Sequence, residues 1–252
     1  METLQKFDVN QVAFFGDWHG NLRFAISALQ NANDQAADLY VHVGDFGFWP
    51  SDKDFHKYIF GIEALLSSSN RTLLWVDGNH EDHKALNKIP VNENGLRPIT
   101  EHIIHLPRGS AVLLGDKKLV ALGGARSIDR NLRVKDVDWF EEETITLEDT
   151  EKAKSHGRAD ILVTHEAPEL SWYTNSVDSV VEIFSQEQRN LVNEVRRELA
   201  PQVLIHGHHH RKYEDKIGIT RVIGLGCDAW PLKESSISDN TCVLQLSSNG
   251  DK

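Results

Sequence analysis

Cysteine is scarce in this 252-residue sequence, basic charge is in deficit, and long apolar runs are missing. Cys227 and Cys242 are the two cysteines and form no CxxC pair. They offer no disulfide framework, which points to a reducing compartment. No apolar run approaches the roughly 18–20 residues of a membrane span. The stretch from Met1 to Gln11 is polar and lacks a signal-peptide core. Lys and Arg total 27 against 38 Asp and Glu, a net charge of −11. Such a chain is a poor candidate for wrapping long nucleic acid or anionic membrane through bulk charge. Hydrophobic residues at 40% and charged residues at 26% are ordinary for a globular protein, so a soluble cytoplasmic protein is expected.

Histidine, by contrast, is abundant: there are 13, with His206, His208, His209 and His210 inside five positions. Around them, short apolar runs alternate with helical patterns, the mark of an α/β fold. Val12–Phe15, Leu39–Val43 and Thr72–Val76 read as strands that stop at or just before a glycine. Leu22, Ala25, Ile26 and Leu29 share one helical face, and Ser51 after Pro50, with Asp54 three residues on, reads as the start of a second helix. Ile103–Leu106, Ala111–Leu114 and Leu119–Leu122 are spaced like antiparallel hairpins. Ile161–Val163, Val203–Ile205, Thr220–Leu225 and Cys242–Leu246 complete the strands. Ser185-x-x-Gln188 reads as a capping box ahead of a helix bearing Leu191, Val192, Val195 and Leu199. With no repeat or linker in view, one domain over residues 1–252 is expected, its core about 10–246 and its C-terminal tail polar.

Five of these strands end in turns rich in Asp, Asn or His: Gly16-Asp17-Trp18-His19-Gly20, Gly44-Asp45, Gly78-Asn79-His80-Glu81, Thr164-His165 and Gly207-His208-His209-His210. Ligands of open α/β sheets bind outside the carboxyl ends of strands, where such turns converge. In extended backbone, residues i and i+2 point the same way, so Asp17 and His19 are expected on one ion, and His208 and His210 on one side with His209 turned away. Oxygen and imidazole donors without thiolate suit Mn, Fe, Zn or Mg better than a structural zinc cage. Seven donors exceed the needs of one ion and match two. Two dications roughly 3.5–4 Å apart clamp the attacking and leaving oxygens of a displacement at phosphorus.

The order Asp-x-His, Gly-Asp, Gly-Asn-His-Glu, His, Gly-His-x-His resembles the calcineurin-like metallophosphoesterases from Val12 to about His210. The resemblance implies a four-layer α-β-β-α sandwich with two mixed β-sheets. It also implies a metal site of Asp17, His19 and His210, with Asp45 bridging to a second site of Asn79, His165 and His208. Manganese is the first expectation, with iron, zinc, magnesium, cobalt or nickel as further possibilities. The nucleophile implied is a metal-bound hydroxide, and His80 matches the family's phosphate-contacting histidine.

Two departures bear on the substrate. Relatives acting on phosphoproteins carry Arg before Gly-Asn-His-Glu and an Asp-Arg-Gly tail after the second Gly-Asp. Here the first position is Asp77 and the second is Phe46-Gly47-Phe48-Trp49-Pro50. The arginine clamp for a dianionic monoester is missing, and a carboxylate at Asp77 is expected to repel a second phosphate charge. A phosphodiester is therefore expected. Gly123–Arg130 and Val137–Glu143 resemble phage and actinobacterial members, some of which hydrolyse 2′,3′-cyclic nucleotides and aryl diesters. Arg126, Arg130, Arg133 and Lys135 against Asp129 give that loop a local charge of +3, and Arg126 is the expected substrate contact. Trp49, Trp139 or Trp172 offers a ring for a base, Glu141–Glu143 reads as a solvated acidic run, and His42, His206 and the cysteines read as core. His209 reads as a solvent-facing or rim residue, with Thr164 and Glu166 flanking His165 as outer supports. The alternatives are a phosphomonoesterase or Ser/Thr protein phosphatase and, from another class, a metal-binding interaction scaffold without turnover.

Overall fold

The computed structural model describes residues 4–169, 179–228 and 236–246. Its first half runs β1 (Lys6–Phe7), β2 (Gln11–Phe15), α1 (Leu22–Asp34), β3 (Leu39–His42), α2 (Phe55–Ser69), β4 (Leu73–Trp75), α3 (His83–Lys88), β5 (Arg97–Pro98) and β6 (Ile103–His105). The second half runs β7 (Ala111–Leu114), β8 (Lys117–Leu122), α4 (Leu147–Lys154), β9 (Ile161–Thr164), α5 (Ser179–Leu199), β10 (Val203–His206), β11 (Tyr213–Ile217), β12 (Thr220–Gly224), α6 (Ile237–Asn240) and β13 (Thr241–Gln245).

The period-two alternation of the strands sorts their side chains into layers. Val12 and Phe14 of β2 face one way, with Val41, Leu74, Val112, Leu119, Ala121, Val163, Ile205 and Ile223. Ala13 and Phe15 face the other way, toward Ala25, Ala28 and Leu29 of α1 and Ile59, Ile62 and Leu66 of α2. In β8 the same switch puts Leu119 and Ala121 between the sheets, and Val120 and Leu122 against Ala153 of α4 and Val192, Val195 and Leu199 of α5. Helices, sheet, sheet, helices is the four-layer sandwich anticipated from the sequence. Each fully buried Leu, Ile or Phe side chain contributes roughly 1.5–3 kcal/mol to these layers.

One sheet has six strands in the order β13-β2-β3-β4-β6-β5, and the other has seven in the order β1-β7-β8-β9-β10-β12-β11. Both are mixed. β2, β3, β4 and β6 run parallel with β13 and β5 antiparallel at the edges. β8, β9, β10 and β12 run parallel, flanked by antiparallel β7 and β11. Register brings Phe15 level with His42, and His42 level with Trp75, so the turns after β2, β3 and β4 leave the sheet together. Val163 pairs with Ile205 in the same way, aligning the turns after β9 and β10.

Four expectations are corrected by the fold. Ile103–His105 forms no hairpin with Ala111–Leu114; β6 pairs in parallel with β4 in one sheet, and β7 begins the hairpin with β8 in the other. The second helix starts at Phe55 after an Asp54 cap, because Pro50 to Asp52 are spent in a turn closed by Asp52 N–H on the Trp49 carbonyl. Ser185 caps nothing, since α5 already begins at Ser179. Gln188 instead turns to the segment before α4, accepting from Ile145 N–H at 2.7 Å and donating to the Ile145 carbonyl at 3.4 Å. Strand β11 was not anticipated, because Glu214, Asp215 and Lys216 give it the charge of an edge strand rather than an apolar pattern. Trp172 and the polar tail from Ser247 lie outside the described residues.

Gln188→Ala would leave the buried Ile145 N–H and carbonyl without their side-chain partner. A loss of about 1–3 kcal/mol is expected, read as a lower urea midpoint at unchanged slope. An unchanged midpoint would show that water takes over both bonds.

Candidate metal centre

The turns after β2, β3, β4, β9 and β10 meet at one edge, and they do so through unusual backbone. His19, Asp45, His208 and His210 all have positive φ, at 45°, 55°, 65° and 51°. For non-glycine residues this left-handed region costs of order 1–3 kcal/mol each and gathers at functional sites. The expected i, i+2 logic of extended backbone therefore does not describe these turns, and the ligand directions come from the left-handed bends. Hydrogen bonds hold the bends: Trp18 and His19 N–H donate to the Asp45 carbonyl, and His208 N–H donates to Asp17 Oδ2 at 3.1 Å.

Donor atoms of Asp17, His19, Asp45 and His210 lie within 4.8 Å of one another. His210 Nε2 is 3.1 Å from Asp17 Oδ2, and His19 Nε2 is 3.4 Å from Asp45 Oδ2. On the other side of Asp45, His165 Nε2 is 3.3 Å from Oδ1 and 3.1 Å from Asn79 Oδ1. Five of the other six expected ligands thus gather around Asp45. The sixth, His208, has its ring 5.1 Å from that of His165 but turns Nε2 toward Glu166 Oε2 at 3.7 Å. His80 borders the cluster: its backbone N–H donates to Asp45 Oδ1 at 2.8 Å, and its ring Nε2 is 4.0 Å from Asp45 Oδ2.

The donor set fits divalent cations. Asp45 Oδ2 is sealed from solvent without a well-formed hydrogen bond. A Cβ on Gly78 would collide with Asp45 Oδ1, and one on Gly207 with Asp17 Oδ1, so both glycines let the main chain close on the carboxylates.

The sequence profile of the calcineurin-like phosphoesterases matches residues 11–212, which carry every one of these turns. The chain belongs to the calcineurin-like phosphoesterase family. Among solved structures it is similar to a protein of Thermus thermophilus, TT1561, at 14% identity, a TM-score of 0.54, and coverage of 87% of this chain and 90% of that one. It is also similar to a dimetal phosphatase from Danio rerio, at 12% identity and a TM-score of 0.53, with 88% of each chain covered. These likenesses support the shared fold. No curated protein matches the sequence.

Around these turns stands a ring of carboxylates, of which the sequence reading missed Asp228 and misread Glu143. Asp228 accepts from His19 Nδ1 at 2.9 Å and from Asn21 Nδ2 at 3.0 Å, which leaves His19 Nε2 for the cluster. The Val43 carbonyl does the same for His165 through Nδ1 at 2.9 Å. Glu143, expected in a solvated run, is only 1% exposed and takes Ser127 N–H and Oγ–H, both at 2.7 Å. Ser127 Oγ in turn accepts from Asn79 Nδ2 at 3.1 Å, so the Asn79 carbonyl oxygen is the end turned to the site. Glu81 is buried and accepts the N–H groups of Gly47 and Gly78. His209 is not turned out to solvent: its side chain is part-buried, with Glu166 Oε1 3.0 Å from its Nε2.

Asp77 changes meaning as well. It is buried, with Arg108 Nε donating to Oδ2 at 2.8 Å and His105 Nε2 at 3.2 Å from Oδ1. Burial alone would raise its carboxyl, but Arg108 and His105 hold it well below the usual range. A carboxylate neutralised in this way does not repel phosphate, so that part of the expectation falls. Arg126 neighbours Arg130, Glu187 and Glu143. The loop cation in contact with His80 is Arg133. Trp49 donates Nε1–H to the His80 carbonyl at 2.8 Å, while Trp139 donates to Glu143. His42 and His206 are buried as expected, His206 Nε2 meeting the Tyr213 hydroxyl at 2.6 Å.

Without metal, the cluster is neutralised by protons. Burial disfavours an imidazolium at His19, yet hydrogen bonds to Asp228 and Asp45 outweigh it and push the pKa up to about 11. His210 rises to about 10 against the same burial, through Asp17 and Cys227, and His165 to about 9 through Asp45. These values exceed the unfolded value of about 6.5. The stabilisation they bring is complete below that pH and fades as pH climbs toward the folded values. Cations need the neutral imidazoles and so gain over the same window. The difference in Tm between Mn²⁺-loaded and chelator-treated protein is expected to widen from about pH 6.5 to about pH 8.5. A constant difference would place the cation on groups other than these histidines.

Proposed function

We propose that the chain is a phosphodiesterase of small molecules that works with two divalent ions, manganese foremost. The observation that carries this reading is the convergence of Asp17, His19, Asp45 and His210 donors within 4.8 Å, with His80 beside them. In this reading Asp17, His19, Asp45 and His210 hold one ion, and Asp45, Asn79, His165 and His208 hold the other. Bound ions supply the Lewis acidity that activates water and draws negative charge from the phosphoryl oxygens.

The chain's own residues supply orientation and hydrogen bonds. Asp228 and the Val43 carbonyl fix the tautomers of His19 and His165, and Glu143 fixes Asn79 through Ser127. Burial holds the pKa of His80 below its ordinary value; Asp45 opposes the shift and Arg133 adds to it. His80 is then a neutral imidazole at pH 7, with one N–H to donate to the phosphate as charge moves onto the departing oxygen.

The diester preference rests on missing guanidinium groups. Asp77 stands where phosphatase relatives carry Arg, and Phe46-Gly47-Phe48 stands where they carry Asp-Arg-Gly. Trp49, tied to the His80 carbonyl, offers a ring to a base in this reading, and a nucleotide such as a 2′,3′-cyclic one suits it. We further read residues 1–252 as one domain acting in the cytoplasm. A second reading, a phosphomonoesterase, draws on Arg133 at His80.

Initial rates on bis(p-nitrophenyl) phosphate and p-nitrophenyl phosphate with Mn²⁺ separate the two readings. Turnover abolished by chelator and faster on the diester is expected; faster turnover of the monoester would transfer the reading to a phosphatase. His80→Ala should lower kcat about 10²–10⁴-fold while metal content, measured by elemental analysis, stays at the wild-type value. Loss of metal in that variant would make His80 a structural residue.

A further inference from the structure

The loop after β8 places a charge pair against His80. Arg133 Nη1 is 2.9 Å from His80 Nδ1, and Nη2 is 3.2 Å from Nε2. The lone-pair directions of an imidazole's two nitrogens diverge, so one guanidinium facing both lies across the ring rather than in line with either. The same guanidinium is forked by Asp129, with Nε donating to Oδ1 and Nη2 to Oδ2, both at 2.8 Å. Nη1 also reaches the Asp138 carbonyl at 3.2 Å. The ring Nε2 of His80 in turn stands 4.0 Å from Asp45 Oδ2. A phosphate held between the ions and His80 therefore has the Arg133 Nη edge one imidazole away, with the Asp129 carboxylate behind it.

We propose that the Asp129–Arg133 pair selects the class of ester. Arg133 turns its Nη donors from the His80 ring to a non-reacting phosphate oxygen, and Asp129 cancels the charge it brings. A diester carries one negative charge and a monoester up to two. Two dications and a neutralised guanidinium suit the former, whereas an unpaired guanidinium forks the extra oxygen of the latter. The pair thereby stands in for the two arginines that the sequence lacks, without their bias toward dianions. This rests on the phosphodiesterase reading of the same centre. The contact of Arg133 with His80 brings the pair to the site, and neither side chain is fully closed off from solvent. The Arg133 side chain is 16% exposed and that of Asp129 43%.

The test compares wild type, Asp129→Asn, Arg133→Ala and Lys135→Ala in kcat/KM for bis(p-nitrophenyl) phosphate and p-nitrophenyl phosphate at matched Mn²⁺ content. Calorimetric affinities for inorganic phosphate and dimethyl phosphate accompany the rates. Asp129→Asn is expected to raise the monoester-to-diester ratio, and the affinity for phosphate relative to dimethyl phosphate, about tenfold each. Arg133→Ala is expected to raise KM for both esters. Lys135, which pairs with Glu141 at 2.7 Å, should leave the ratio unchanged when removed. If Asp129→Asn misfolds, Asp129→Ser carries the same comparison. An unaltered ratio in a folded, metal-loaded Asp129 variant overturns this inference and leaves the phosphodiesterase reading standing. Wild-type protein that turns over neither ester overturns that reading first, and the inference with it.

Discussion

Two carboxylates held together out of water are the constraint on which this architecture turns. Asp17 and Asp45 are both buried at the ends of neighbouring parallel strands, and each raises the energy of the other's charge. Burial would push both toward the protonated form, yet both are held ionised by histidines of four different turns. The site is a negative cavity that must be filled by positive charge, whether imidazolium protons or divalent ions. A net charge of −11 over the whole chain is no obstacle to phosphate chemistry when cations gather locally in this way.

What makes the cavity specific is the layer behind it. Imidazoles without outer partners would choose tautomers and rotamers by chance. Asp228, the Val43 carbonyl and the Glu143–Ser127 relay remove that freedom at His19, His165 and Asn79. Glu81 works on the main chain instead, drawing two turns together by their N–H groups. Its carboxyl is pushed up to about 8, by burial first and by Asp45 next, which fits a group placed for its hydrogen bonds rather than its charge. Four residues with left-handed backbone are the conformational cost of the same arrangement.

Strands, helix faces and ligand turns were legible because each leaves a local mark: an apolar run, a glycine, and a donor residue at its end. Apart from Glu166, which flanks His165 in sequence and meets His209, the outer layer left none. Asp228 is one acidic residue after β12, and its role comes from a neighbour 209 positions away. Glu143 was hidden inside an acidic triplet whose other members are exposed. Asp77 was visible but misread, because its partner Arg108 arrives through folding from a distant turn. Among the loop cations, Arg126 was singled out and Arg133 was only counted, since no spacing rule shows that an irregular loop brings Arg133 to His80. The parity argument at His208 and His210 failed for a related reason: it presumes extended backbone where the chain is left-handed.

The centre draws Asp17, His19, Asp45 and Asn79 from one sheet, and His165, His208 and His210 from the other. Hydrogen bonds from His208 to Asp17 and from His165 to the Val43 carbonyl cross between the two sets, and the apolar layer of Val41, Leu74, Val163, Ile205 and their neighbours fills the space behind them. That layer behaves as a spacer whose thickness is fixed by close packing. Magnesium demands tight octahedral geometry, whereas larger ions tolerate a looser cage. The spacing of the two donor sets is thus written partly in hydrocarbon, and a methylene added or removed between the sheets would reach the centre through that layer.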